Sequence, residues 1–157
     1  VSREPRVLSR PAGSERLYAL GLVDSTLSRD DTDGTVTFLE LGAPFNRLDW
    51  SPDGTRAFLW IDPEGVQPPV EGSLNLGAYA VLVEGEDGPT LTPGGLTFEP
   101  LGVTFSADSS KALVSTTSRL HVLDLEVDPV GETMVPLTYT AGVRAGRLPD
   151  AAPFPCC

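Results

Sequence analysis

A chain of 157 residues with 40% apolar content is enough for one domain with a core of ordinary size. Its formal net charge of -11 repels phosphate backbones and anionic membrane surfaces, and the acids are spread along the chain instead of forming a tail, so nucleic acid is not an expected partner. No apolar run approaches the roughly 20 residues that cross a bilayer, which excludes a spanning helix.

No signal segment is present. With Val1 as the first residue, that absence is expected of a mature exported chain or of a piece cut from a longer one, as well as of a cytoplasmic one. Lys111 is the single lysine beside ten arginines, a bias that accompanies GC-rich bacterial genomes.

In chain order, residues 5–9 (PRVLS) read as a strand, followed by the turn Pro11-Ala12-Gly13 and an apolar run at 16–20 (RLYAL). The amphipathic look of residues 14–22 also allows a short helix there. Residues 35–41 (TVTFLEL) and 45–50 (FNRLDW) are further strands, and Pro52-Asp53-Gly54 then turns the chain into 56–61 (RAFLWI). Proline fixes φ at the second turn position, and Asp-Gly adds a side-chain acceptor and a permissive backbone, so DWSPDG reads as a hairpin.

The segment 62–75 is rich in Gly, Pro and acid and reads as an inserted loop. Strands follow at 79–84, 101–105, 111–114, 120–127 and 133–139, with the turn Ala107-Asp108-Ser109 between the second and third of these. A last turn, Pro149-Asp150-Ala151, leads into a tail, 151–157, that ends in Cys156-Cys157.

The four turns are spaced: Pro11 to Pro52 is 41 residues, Pro52 to Ala107 is 55, and Ala107 to Pro149 is 42. The long interval contains the insertion, whose 14 residues account for its surplus. A fixed period of this size marks a repeat architecture. Each of the first three turns leads into a basic residue and a short, nearly continuous apolar run, the pattern of a strand buried on both faces, while the last has no such strand after it. The chain is therefore expected to be all-β, with about three four-stranded antiparallel units over residues 1–150 and a partial fourth.

DWSPDGTRAFLW and VTFSADSSKALV resemble the S-P-D-G turn repeats of TolB-type and YVTN-type β-propellers, relatives of the WD repeat. The likeness covers residues 5–150 and is strongest in the second and third units. The first unit, RPAGSERLYAL, has its turn shifted by a residue. The resemblance implies an incomplete ring, since propellers close with four to eight blades, and hence an edge for further blades, another chain or identical copies to cover. It also implies an envelope, surface or secreted location and protein partners.

Few residues suggest chemistry. His121 shares a strand face with Leu123, Leu125 and Val127 and is expected to be a hydrogen-bonded packing residue. RDDTDGTVTFLE at 29–40 matches the calcium-loop pattern at Asp31, Asp33, Gly34 and Glu40, but Arg29 stands where the first ligand belongs. Asp30 is an alternative oxygen donor, and an Asp-rich hairpin turn that caps its own backbone is the competing explanation.

Acids recur at Glu84-Gly85-Glu86-Asp87 and at Asp124, Glu126 and Asp128, where alternation predicts one solvated strand face. Trp50 and Trp60 are expected between blades. Adjacent Cys156 and Cys157 are disulfide candidates toward another chain or missing sequence, because a ring between neighbours is strained. The expected function is a non-catalytic protein-binding or scaffold module. The alternatives are a calcium-dependent, lactonase-like or peptidase-associated propeller enzyme and a structural subunit of a filament or shell.

Overall fold

The computed structural model of the chain describes residues 6–65, 74–127 and 130–136. Twelve strands and no helix occur among them: β1 Arg6–Ser9, β2 Leu17–Gly21, β3 Thr26–Asp30, β4 Val36–Glu40, β5 Arg47–Trp50, β6 Arg56–Trp60, β7 Ala78–Val83, β8 Thr90–Gly95, β9 Gly102–Phe105, β10 Lys111–Ser115, β11 Arg119–Asp124 and β12 Gly131–Pro136. They form three four-stranded sheets, β1-β2-β3-β4, β5-β6-β7-β8 and β9-β10-β11-β12, each pairing sequence neighbours antiparallel. The all-β expectation holds, and the helix allowed at 14–22 is instead β2, whose alternate residues Tyr18 and Leu20 are buried.

The middle sheet explains the continuous apolar runs. Ala57, Leu59, Ala80 and Leu82 pack on one side with Tyr18, Leu20 and Leu27 of the first sheet. Phe58, Trp60, Tyr79 and Val81 pack on the other with Ala112, Val114 and Leu123 of the third. A strand with period-two side chains and a neighbour on both faces has no polar face to show, so RAFLW and AYAVLV carry none.

We call the side of each sheet toward the preceding one its front and the opposite side its rear. The front of the first sheet, with Leu8 and Phe38, and the rear of the third, with Leu113 and Val122, face no other sheet among the described residues.

Two strands escaped the sequence reading. TLSRD of β3 is too polar to stand out, and TLTPGG of β8 carries Pro and two Gly. β8 is the outer strand of its sheet, and an edge tolerates a residue that donates no ladder bond. One boundary also changes: β11 ends at Asp124, not at residue 127, because Leu125 and Glu126 enter a turn that Asp124 caps through the Glu126 amide at 3.1 Å.

Candidate functional site

The hairpin turns joining the first and second strands of each sheet line up as a file along one end of the stack. In the second unit Gly54 N–H donates to Ser51 C=O at 2.9 Å, and in the third Ser109 donates to Ser106 at the same distance. Asp53 and Asp108 hold these turns alike. Asp53 accepts Ser51 Oγ at 2.7 Å, Thr55 N at 3.0 Å and Thr55 Oγ1 at 2.9 Å. Asp108 accepts Ser106 Oγ at 2.6 Å, Ser110 N at 3.1 Å and Ser110 Oγ at 2.9 Å.

Partial burial works against the charge on Asp53, but the hydroxyl and amide donors outweigh it and hold the carboxyl at about 2. The Ser106 hydroxyl and then the Ser110 donors bring Asp108 to about 2 as well. The first unit has Pro11 and Gly13 at the corresponding positions, and its turn closes from Ser14 N to Pro11 O at 3.2 Å without this lock. Pro11 thus matches Ser51, and Arg16, Arg56 and Lys111 fall at one position of the repeat.

The turns also touch one another. Asp53 N–H donates to Ser109 Oγ and Arg56 Nη1 to Ser109 O, both at 3.3 Å. At Gly54, φ is +69°, and a Cβ would lie 2.6 Å from Ala12 O of the first turn, so this glycine serves both the turn and its neighbour.

At the same end a charge network joins the first two sheets. Arg16 reaches Asp31 at 3.0 Å and Glu84 at 2.9 Å, and Arg29 reaches Asp31 at 2.8 Å and Glu84 at 3.6 Å. Burial raises the Glu84 carboxyl above the usual range, offset in part by Arg16, and Glu84 Oε1 has no hydrogen-bond partner.

This arrangement bears on the residues marked for calcium. Asp31 faces two guanidinium groups. Asp33 Oδ1 accepts Thr35 N at 2.8 Å, which lowers its pKa, and the β3–β4 turn closes from Gly34 N to Asp31 O at 2.9 Å. Glu40 pairs with Thr26 at the opposite end of the β3–β4 ribbon, roughly 15 Å from the turn at about 3.3 Å per residue. The structure therefore brings Asp31 and Asp33 to one turn and does not bring Glu40 to it. Among the described residues no group of three or more His, Cys, Asp or Glu is placed to hold a metal ion.

A second polar cluster lies near the other end of β5 and β6. Asn46 staples the chain by accepting Asp62 N at 2.6 Å and donating to Asp62 O at 2.9 Å. Trp60 Nε1 donates to Asp49 Oδ2 at 2.7 Å, and Arg47 lies over the Trp60 ring at 5.7 Å while pairing with Asp62 at 3.2 Å. Trp60 thus sits between the second and third sheets, and Trp50 between the first and second, tilted against Tyr18 at 4.9 Å.

His121 is fully buried, with Nδ1 2.6 Å from Glu132 Oε1 and Nε2 unpartnered. Leu123 and Leu125 lie in the apolar cluster between the second and third sheets, but Val127 is half exposed in the turn. Glu132 had no signal in the sequence. Its role follows from the β11–β12 register, which places it opposite Leu123, beside the His121–Met134 pair. Among the acids expected on one strand face, Asp124 pairs with Lys111 at 3.2 Å and Glu126 lies beyond the strand, so the alternation does not form a face. Asp128, the turn at 149–151 and Cys156-Cys157 lie outside the described residues.

No family model matches the chain, and no characterised relative matches it. Solved structures do. A candidate 6-phosphogluconolactonase of Bacteroides fragilis superposes with a TM-score of 0.56 at 15% identity, over 84% of this chain and 39% of that one. Another from Bacteroides uniformis gives 0.57 at 11% identity, over 85% and 41%. A protein of unknown function from Desulfotomaculum acetoxidans gives 0.56 at 17%, over 88% and 42%. At these identities the likeness concerns the fold alone. Over the described residues the fold is an open, propeller-like row of three blades, and the chain spans about two fifths of the length of these structures.

Proposed function

We propose that the chain is a non-catalytic binding or scaffold module of the propeller type, working with further blades or another protein in a periplasmic, surface or secreted setting. The observation that supports it is how the polar side chains are engaged. Asp53 and Asp108 hold their own turns, Asp31 and Glu84 face Arg16 and Arg29, Asp49 holds Trp60, and His121 is buried against Glu132. Groups that hold the scaffold in this way are not arranged around a site where a substrate atom would react. The location rests on the resemblance of DWSPDGTRAFLW to TolB-type repeats.

The rival is a lactone-hydrolysing enzyme, the activity named for two of the similar structures. Hydrolysis of 6-phosphogluconolactone and simple lactones, followed with and without calcium, separates the two. The proposal expects the spontaneous rate, and a melting temperature unmoved by calcium or EDTA, since an ion that binds only the folded state raises it. Turnover above background would overturn it.

A further inference from the structure

We propose that the hollow between the first and second sheets binds a small aromatic amine, its ring between the sheets and its ammonium group at Glu40. The inference goes beyond the binding-module reading, because it concerns a small molecule and a place that the first two sheets build between themselves.

Both sheet interfaces have the same place near their outer strands, and the chain fills one of them. In the third sheet the fourth residue of β10, Val114, pairs with His121, which pairs with Met134. In the second sheet the fourth residue of β6, Leu59, pairs with Ala80, which pairs with Pro93. Ala80 therefore stands where the third sheet has His121. Both are on the front of their sheets, Ala80 in the cluster with the first sheet and His121 two residues from Leu123 in the cluster with the second.

The difference in size leaves a gap. Between the second and third sheets the imidazole of His121 is fully buried, with Nδ1 2.6 Å from Glu132 Oε1. Stacked sheets lie about 10 Å apart, a space that large side chains fill and alanines do not. Between the first and second sheets a hollow of about 250 Å³ remains, walled by Ala78, Ala80 and Pro93 of the second sheet and by Leu41 and Phe45 of the connection from β4 to β5. An apolar cavity of about 150 Å³ holds benzene, so this one has room for two fused rings.

The lining sets the chemistry of the occupant. Leu41, Phe45 and Ala80 are buried, so the inner part is apolar and offers a ring for another ring to pack on. Glu40 and Pro93 are exposed, which puts the mouth on the outer side of the sheets with a carboxylate at its rim. The next interface makes the same pairing from within the chain, a ring in the apolar place with its nitrogen against the Glu132 carboxylate. A ligand with a flat ring and a cationic nitrogen repeats that pairing, whereas an anionic ligand meets Glu40 and a chain of net charge -11.

Titration calorimetry of the full chain with tryptamine tests the site, with indole-3-propionate as the same ring carrying the opposite charge. Saturable one-to-one binding of tryptamine and none of indole-3-propionate is expected. Glu40→Gln should weaken tryptamine roughly threefold to fivefold, the worth of an exposed ion pair. Ala80→His gives the second sheet the residue of the third and fills the hollow, so the ring loses its apolar contact and binding weakens about tenfold or more. Pro93→Met, which takes the third sheet's residue at an exposed position of β8, repeats the test on a variant whose core is untouched. A cooperative melt checks that each variant is folded.

Tryptamine that does not bind the folded wild type, or binds no better than indole-3-propionate, overturns the site. So does an affinity unchanged by Glu40→Gln, or unchanged in the folded filled variants, because attraction to the acidic surface alone survives where Glu40 is kept. Each of these results leaves the binding-module reading in place, since the lactone and calcium assays test that separately.

Discussion

Phe58→Ala removes the side chain at the centre of the second interface. Phe58 is fully buried, lies among Trp60, Val81, Ala112 and Leu123, and stacks on Tyr79 at 5.0 Å with 19° between the rings. A Phe→Ala truncation at such a site costs about 3–5 kcal/mol, part of which is the ring pair itself, worth about 0.5–1.5 kcal/mol. Against a total stability of about 5–15 kcal/mol, that is a large share.

Urea denaturation followed by circular dichroism measures it. With a slope of roughly 2 kcal/mol per molar, a loss of about 4 kcal/mol lowers the midpoint by about 2 M. Val127→Ala is the control, because Val127 is 51% exposed in a turn, and it should stay within about 0.5 kcal/mol of the wild type. A loss at Phe58 below about 1 kcal/mol would refute the claim that the second blade is enclosed on both faces.

Further outcomes concern the turns and the charges. Asp53→Ala removes three acceptor contacts from the second turn and should cost about 1–2 kcal/mol, read as a lower melting temperature. Asp53 and Asp108 have folded pKa values of about 2, below the ordinary 3.8, so their contribution is complete above pH 4 and is lost as pH falls toward 2. The double variant Asp53→Asn, Asp108→Asn should flatten that acid limb in melts taken across the range, and an unchanged limb would contradict the assignment. Burial raises the Glu84 pKa more than Arg16 lowers it, so the ionised carboxylate is a net cost to the fold at neutral pH. Glu84→Gln should therefore leave the urea midpoint at pH 7 unchanged or raise it, and a clear fall would contradict that balance.

What the sequence made legible was whatever repeats. SPDG and SADS recur with a fixed spacing, and a run such as RAFLW must be sheltered on both sides, so the hairpins and the central strands could be read directly. β3 and β8 could not, because outer or polar strands are held by their neighbours' ladders and need no apolar signature of their own. The same reason hid the charge network: Arg16, Asp31 and Glu84 are up to 68 residues apart and meet only when two blades stack. The calcium pattern illustrates the converse. Asp31, Asp33 and Glu40 have the right spacing for a loop that continues into a helix, but a strand rises about 3.3 Å per residue and carries Glu40 away from the turn.

Amide hydrogen exchange, read by mass spectrometry along the intact chain, tests the three-blade order most directly. Peptides covering Arg56–Trp60 and Ala78–Val83, enclosed on both faces, should exchange slowest, while Val36–Glu40 and Gly131–Pro136, outer strands of the flanking sheets, should exchange much faster. Protection that is uniform along the chain, or weakest at Arg56–Trp60 and Ala78–Val83, would contradict a central blade held between two others.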